Sequence, residues 1–122
     1  MIKGVFIKNA PWVEITVGWE DATQNSVAVL DTGFSGDLQI TPKLAQALKL
    51  KSETIASVQI ANGQIVDVPI VVAVSSMEGE KKYVKVLVAD STPLIGIGFL
   101  SKFSYKAIVD CKNKKVALQR VQ

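Results

Sequence analysis

Apolar and polar positions along the chain alternate in short bursts with a period of two. Val13, Ile15 and Val17 alternate with Glu14 and Thr16, the pattern of a strand with one wet face. The segments 26–30 and 70–74 are more continuously apolar, so strands covered on both sides are expected there. Val and Ile favour the half-buried pleated surface, and they concentrate in eight windows. Strands are predicted over 2–7, 12–19, 26–31, 55–61, 64–74, 82–89, 105–110 and 116–120.

Turn chemistry separates these windows. Asn62-Gly63 lies between two β-rich runs and is the strongest short hairpin signal in the chain. Met77-Glu78-Gly79-Glu80 predicts a second hairpin and Lys112-Asn113-Lys114 a third. Two helices are expected. Thr41 can cap the first, Pro42 suits its first position, and Leu44, Ala45 and Leu48 line one face. A shorter one should follow Gly96, over 98–103. Many short strands with little helix predict an all-β fold, a small barrel or sandwich.

Composition narrows the class. The chain has 122 residues, so one domain spanning 1–122 is expected. Hydrophobic residues make up 48% and charged residues 20%, which excludes intrinsic disorder. No apolar run approaches the roughly 18 residues of a membrane span, and MIKGVFIKNAPW lacks a signal-peptide core. A soluble, cytoplasmic protein with no membrane partner is the expectation. Cys111 is the single cysteine, so no disulfide forms within the chain and a reducing compartment suits it. The net charge of +3 is mild and neither demands nor forbids an acidic partner.

The absence of histidine decides more. With 0 His, the Ser-His-Asp and Cys-His nucleophilic systems are impossible, as is any His-ligated metal site. One cysteine excludes a Cys-rich zinc site as well. No metal and no cofactor are expected. Catalysis, if present, must come from carboxylates, hydroxyls, lysines or backbone amides.

Against that background Leu30-Asp31-Thr32-Gly33 stands out. It places a carboxylate at the end of an apolar strand, where burial is costly unless the group is hydrogen-bonded or paired. Thr32 and Ser35 supply hydroxyls, and Gly33 and Gly36 leave backbone amides close by. Asp, Gly and Ser are also ordinary turn residues, so the tripeptide alone also fits a plain strand-to-loop turn.

The stretch Val29-Leu30-Asp31-Thr32-Gly33-Phe34-Ser35-Gly36 resembles the catalytic loop of the retropepsin-like aspartic proteases. The resemblance continues in order through Leu38-Gln39-Ile40-Thr41-Pro42, Ala61-Asn62-Gly63 at the flap, and Leu94-Ile95-Gly96 before a short helix. A final strand pair over 106–110 and 115–118 matches the family's ending, so the likeness spans nearly the whole chain. It looks closest to stand-alone prokaryotic members, which often carry Asp-Thr-Gly-Phe-Ser/Thr-Gly. The resemblance implies an all-β fold of small closed β-barrel type with one or two short helices. It implies a peptide hydrolase in which a water is held between two carboxylates, one ionised as general base and one protonated to polarise the scissile carbonyl. Such a pair shares one proton and titrates as a unit, which explains how the site works without histidine.

The resemblance assigns roles to individual residues. Asp31 is the catalytic group. Thr32 would hydrogen-bond across to a partner loop, and Gly33 lets two loops approach without Cβ clashes. Ser35 matches the Ser/Thr that bonds the catalytic carboxylate, although a local turn bond is the plainer alternative. Ala61, Asn62 and Gly63 would form a flap over an extended peptide, where a surface hairpin is the alternative. Phe34 stands where many retroviral members have Ala, and its ring must either line a pocket or pack into the core.

A second carboxylate is missing from the chain. Asp90-Ser91-Thr92, Asp110-Cys111-Lys112, Asp21-Ala22-Thr23 and Asp37-Leu38-Gln39 all fail the Asp-Thr-Gly or Asp-Ser-Gly pattern. A complete pair therefore needs a homodimer with an isologous interface. Two rivals remain open: an inert peptide-binding module of the same fold, and a basic nucleic-acid-binding β-barrel. Lys112, Lys114, Lys115 and Arg120 read as a solvated, lysine-protected edge, so no nucleic acid is expected. Trp12 and Trp19 read as core or interface anchors, Cys111 as a small apolar filler, and residues 78–82 as an exposed turn.

Overall fold

The computed structural model describes residues 1–19, 22–50, 54–59 and 61–122. Ile60, in the strand expected over 55–61, and Asp21, in one rejected triplet, lie outside the described residues.

The strands are β1 (Ile2–Lys3), β2 (Val5–Ile7), β3 (Ala10–Trp19), β4 (Ala22–Leu30), β5 (Leu38–Ile40) and β6 (Thr54–Gln59). They continue as β7 (Ile65–Met77), β8 (Glu80–Val88), β9 (Leu94–Ile95), β10 (Tyr105–Asp110) and β11 (Lys115–Arg120). The helices are α1 (Pro42–Ala47) and α2 (Ile97–Lys102). The class is all-β, as expected. Among the described residues no helix is long and apolar enough to cross a membrane.

Eight strands follow the order β2-β3-β4-β9-β5-β8-β7-β6, and β3 also pairs with β7 through Thr16↔Ser76 to Gly18↔Val74. That extra pairing closes β3, β4, β9, β5, β8 and β7 into a ring. The alternating face of β3 supplies Val13, Ile15 and Val17 to the interior, where they meet Leu38, Ile40, Ala73, Val84 and Val86. A separate sheet has the order β1-β11-β10.

The strand predicted over 2–7 is divided between the two sheets. A Cβ on Gly4 would strike the Trp12 carbonyl and come within 2.8 Å of Val116 Cγ1. The bare backbone passes there, and Gly4 N donates to Val116 O at 2.9 Å. Two residues then turn β2 into β3: Lys8 and Asn9 have φ of 49° and 64°, the left-handed pair that suits strand twist. Glu78 and Gly79 repeat this between β7 and β8, with φ of 50° and 83°.

Helix α1 forms as its residues predict. Thr41 Oγ1 accepts from Leu44 N at 3.3 Å, Pro42 opens the helix, and Ala45 and Leu48 are buried.

Four expectations need correction. Val27 is 49% exposed, so the 26–30 segment is covered on one face, and along 70–74 only alternate positions are buried. A strand next to the ring's interior gains a cover only inside. Cys111 fills no core space; it is exposed in the turn before β11. The turn expected over 78–82 contains two residues, and Glu80, Lys81 and Lys82 already belong to β8. The basic C-terminal hairpin is partly engaged in packing. Lys114 Nζ donates to Asn9 Oδ1 at 2.9 Å above the Phe6 ring, and Arg120 lies over Tyr105 and pairs with Glu80 at 3.2 Å.

Tyr105 joins the two sheets. Its hydroxyl donates to Glu78 Oε1 at 2.8 Å, while Glu78 Oε2 pairs with the N-terminal ammonium at 2.9 Å. The ammonium and the phenol hold the Glu78 carboxyl below its ordinary range. Burial, followed by the Glu78 carboxylate, pushes the Tyr105 phenol up to about 12. A neutral phenol favoured by the fold stabilises it fully below the unfolded value near 10, and that contribution is lost as pH rises through about 12. Wild-type stability should therefore fall toward that of Tyr105→Phe between about pH 10 and about pH 12, as read by urea unfolding midpoints of the two proteins.

Candidate active site

The Asp31 turn is built by two remote segments that bind each other through backbone. The two-residue strand β9 inserts between β4 and β5, parallel to the first (Val29↔Leu94, Leu30↔Ile95) and antiparallel to the second (Leu38↔Ile95). Asp31 N donates to Ile95 O at 3.0 Å and Gly96 N to Asp37 O at 3.0 Å. Ile97 N donates to Phe34 O at 2.8 Å, and Gly98 N reaches Gly36 O at 3.0 Å. The loop from Asp31 to Asp37 is thus tied along its length.

Within the loop the chain folds on itself. Phe34 N donates to Asp31 O at 3.1 Å, closing a four-residue turn. Asp31 Oδ1 accepts from Gly33 N at 2.9 Å, so the carboxylate is oriented by its own backbone. Asp31 is half-buried, whereas Thr32 and Gly33 are exposed at the tip.

Glycines make the close approach possible. A Cβ on Gly96 would strike Gly36 O and come within 2.6 Å of Phe34 O. A Cβ on Gly36 would lie 2.6 Å from Phe34 Cζ. The Phe34 ring therefore packs over two bare backbone positions, Gly36 and Gly96. Gly33 differs: its Cβ would meet Asp31 Oδ1 at 3.2 Å, with no other atom within 4 Å besides its chain neighbours.

Asp37 closes the loop from below. It is 7% exposed and pairs with Lys102 Nζ of α2 at 2.6 Å. Its Oδ2 also accepts from Lys85 N of β8 at 2.9 Å, and Lys102 Nζ donates to Tyr83 O at 3.0 Å. A Cβ on Gly98 would strike Asp37 Oδ1. One carboxylate therefore ties loop, helix and sheet together.

No protein-family model matches this sequence, and no curated protein does. Solved structures do. A retropepsin-like aspartic protease from Rickettsia conorii superposes with a TM-score of 0.64 at 16% identity, covering 98% of this chain and 89% of its own. The EIAV protease complexed with the inhibitor HBY-793 superposes with a TM-score of 0.60 at 19% identity, covering 84% of this chain and 96% of its own. The chain has the retropepsin-like fold.

Within that fold the residues predicted from sequence fall into two places. Asp31, Thr32 and Gly33 share one turn, with Phe34 and Ser35 directly after it. Ser35 meets the neighbouring segment through its carbonyl, which accepts from Gly98 N at 3.2 Å. Ala61, Asn62 and Gly63 lie in a different turn, the exposed link from β6 to β7. There Asn62 Oδ1 accepts from Gln64 N at 2.8 Å and Gly63 takes a φ of 86°. The link is longer than a two-residue hairpin, because pairing resumes at Gln59↔Ile65. A hollow of about 420 Å³ lies elsewhere, on the terminal sheet between Lys3, Ile108 and Lys115, and shares no residue with the Asp31 turn.

Asp37 and Lys102 were missed by sequence reasoning. Asp37 entered only as a failed Asp-Thr-Gly. Its position in a glycine-rich loop ahead of the buried Leu38 is the sole local signal, and nothing local points to Lys102, 65 positions away. Lys102→Met should leave the Asp37 carboxylate buried without its cation. Allowing for the 38% exposure of the Lys102 side chain, a loss of about 2 kcal/mol in urea-unfolding free energy is expected.

Proposed function

We propose that this protein is an aspartic endopeptidase: one retropepsin-like domain over residues 1–122, working as a homodimer on peptide or protein substrates. The observation that carries this reading is the placement of Asp31, a half-buried residue beneath an exposed tip, whose carboxylate accepts from Gly33 N and whose backbone N donates to the Ile95 carbonyl. Two solved neighbours in this fold are proteases, and one of them binds an inhibitor. Each chain offers one Asp-Thr-Gly, so two chains supply the pair.

The chemistry then follows from two Asp31 carboxylates across a twofold axis. They share one proton, because two like charges at such separation do not both persist. The ionised Asp31 takes a proton from the water between them as its oxygen attacks the scissile carbonyl. The protonated Asp31 hydrogen-bonds the carbonyl oxygen as negative charge develops there. Return of a proton to the leaving nitrogen breaks the C–N bond and restores the pair. Thr32 bonds across to the facing loop, and Gly33 leaves room for that loop. Phe34 and Ser35 border the bound peptide, while Ala61, Asn62 and Gly63 close over it as a flap. The reaction uses carboxylates and water alone, so it calls for no metal or cofactor. The lone Cys111 suits a cytoplasmic setting.

Asp31→Asn keeps the shape and the Gly33 bond while removing the ionisable proton. It should abolish cleavage of a peptide substrate and leave the circular dichroism spectrum unchanged. Asp90→Asn should retain most activity, and equal losses in the two variants would refute the assignment. For the wild type, kcat/KM against pH should trace a bell with its maximum on the acid side. Below the lower macroscopic pKa the base is lost, and above the upper one the shared proton is lost. A rate still climbing toward alkaline pH contradicts a one-proton pair. In Gly33→Ala the methyl would lie 3.2 Å from Asp31 Oδ1, so that carboxylate must shift slightly while the chain still folds, and the methyl also projects where the facing loop must sit. Urea unfolding of the monomer should change by less than about 1 kcal/mol. Cleavage should fall at least tenfold, about the effect of 1.4 kcal/mol.

A further inference from the structure

An asparagine followed by a glycine carries a chemistry of its own. The backbone nitrogen of the second residue attacks the side-chain amide carbon of the first, and a Cβ on the second residue obstructs that approach. The chain has four asparagines: Asn9, Asn25, Asn62 and Asn113. Ala10, Ser26 and Lys114 follow three of them, and each brings a Cβ. Only Asn62 precedes a glycine.

The structure separates the same four residues. Asn9 Oδ1 accepts from Lys114 Nζ at 2.9 Å. Asn25 Oδ1 accepts from Thr16 Oγ1 at 2.8 Å, and Ser26 is held in the ladder opposite Ile15. Asn113 Nδ2, the nitrogen that would have to leave, donates to Asp110 Oδ2 at 2.8 Å.

Asn62 is held in the opposite sense. Its Oδ1 accepts from Gln64 N at 2.8 Å, two residues on. The ring that this bond closes contains both Asn62 Cγ and Gly63 N, the two atoms that would join. The Gln64 N–H also stands where negative charge would develop on Oδ1 as Cγ becomes tetrahedral. Residues 61–64 are exposed, so water and hydroxide reach them. Apart from its chain neighbours, a Cβ on Gly63 would meet only Gln59 Nε2, at 4.0 Å, among the described residues.

We propose that Asn62 is a site of spontaneous covalent modification, in which Gly63 N displaces the side-chain amide nitrogen and the tip of the β6–β7 link becomes aspartyl or isoaspartyl. A solvent base removes the proton from Gly63 N. The electron pair left on that nitrogen forms a bond to Asn62 Cγ. The Cγ–Nδ2 bond breaks, and Nδ2 leaves as ammonia with a proton from solvent. The product is a succinimide, which one water molecule opens. Opening at Cγ restores the ordinary backbone with a carboxylate side chain. Opening at the Asn62 carbonyl carbon routes the backbone through the former side chain, one methylene longer. One amide and one water yield one carboxylate and one ammonium ion, with nothing oxidised or reduced. Either product lowers the net charge of +3 by one and puts an anion on a stretch, Ala61 to Gln64, that has no charged residue.

Peptide mapping by mass spectrometry reads the conversion directly. The whole wild-type protein is held folded in mildly alkaline buffer and sampled over days. The peptide bearing Asn62 should gain the mass difference between an amide and a carboxyl group at least about tenfold faster than those bearing Asn9, Asn25 or Asn113. In heavy-oxygen water it should take up one labelled oxygen. Hydroxylamine, which attacks a succinimide, should release a fragment that begins at Gly63. Gly63→Ala should slow the conversion at least about tenfold, whereas Gln64→Ala, which keeps the backbone N–H, should convert like wild type. Alanine at a φ of 86° is strained, so circular dichroism is used to check that the variant folds. The comparison among the four asparagines needs no variant. An Asn62 that converts no faster than the other three overturns the proposal, as does a folded Gly63→Ala that converts at the wild-type rate. The readouts are mass and scission of this chain, so neither result bears on whether the protein cuts peptides.

Discussion

Everything near the candidate site depends on one close approach of backbone to backbone. The loop from Asp31 to Asp37 and the segment from Ile95 to Gly98 are about sixty residues apart in sequence, and they exchange hydrogen bonds along their whole length. Peptide groups in two loops meet this closely only where side chains are missing, and Gly36, Gly96 and Gly98 supply the gaps. None of these three needs an unusual φ. Their requirement is space, which distinguishes them from Gly63 and Gly79, where a positive φ sets the turn.

Once that approach is made, neighbouring features find their reasons. The ring of Phe34 has a surface to lie on, because Gly36 and Gly96 are flat under it. The Asp37 carboxylate is forced into the interior and needs partners, which Lys102 and the Lys85 amide provide. A buried charge tied in this way fixes geometry more than it adds stability. The consequence is a stiff base beneath Asp31 and an unencumbered tip at Thr32 and Gly33. Stiffness below and exposure above is the arrangement a carboxylate needs if it is to meet a second one.

The two sheets also differ from each other. The ring of strands is closed by the β3–β7 pairing and leaves its interior sealed. Among the described residues the terminal sheet is open along β10, with apolar side chains on both of its faces. Gly4 is what separates the two behaviours, since it lets one stretch of chain serve β1 in one sheet and β2 in the other.

Much of this was legible in the residues themselves. Period-two alternation, β-branched runs, the Thr41-Pro42 start of α1 and the Glu78-Gly79 turn are governed by dihedral preferences and bonds a few residues apart, so sequence determines them directly. The Asp31-Thr32-Gly33 turn was legible for the same reason: its defining bond, Gly33 N to Asp31 Oδ1, spans two residues. The division at Gly4, the two-residue strand β9, the Asp37–Lys102 pair and the exposure of Val27 and Cys111 were not. Each depends on which distant segment arrives alongside. That is decided by chain closure and packing, where a strand of two residues carries no periodicity and a carboxylate carries no mark of its cation. Sequence alone determined the local conformations and the candidate carboxylate. Tertiary structure decided which side chains the glycine-lined crossing buries.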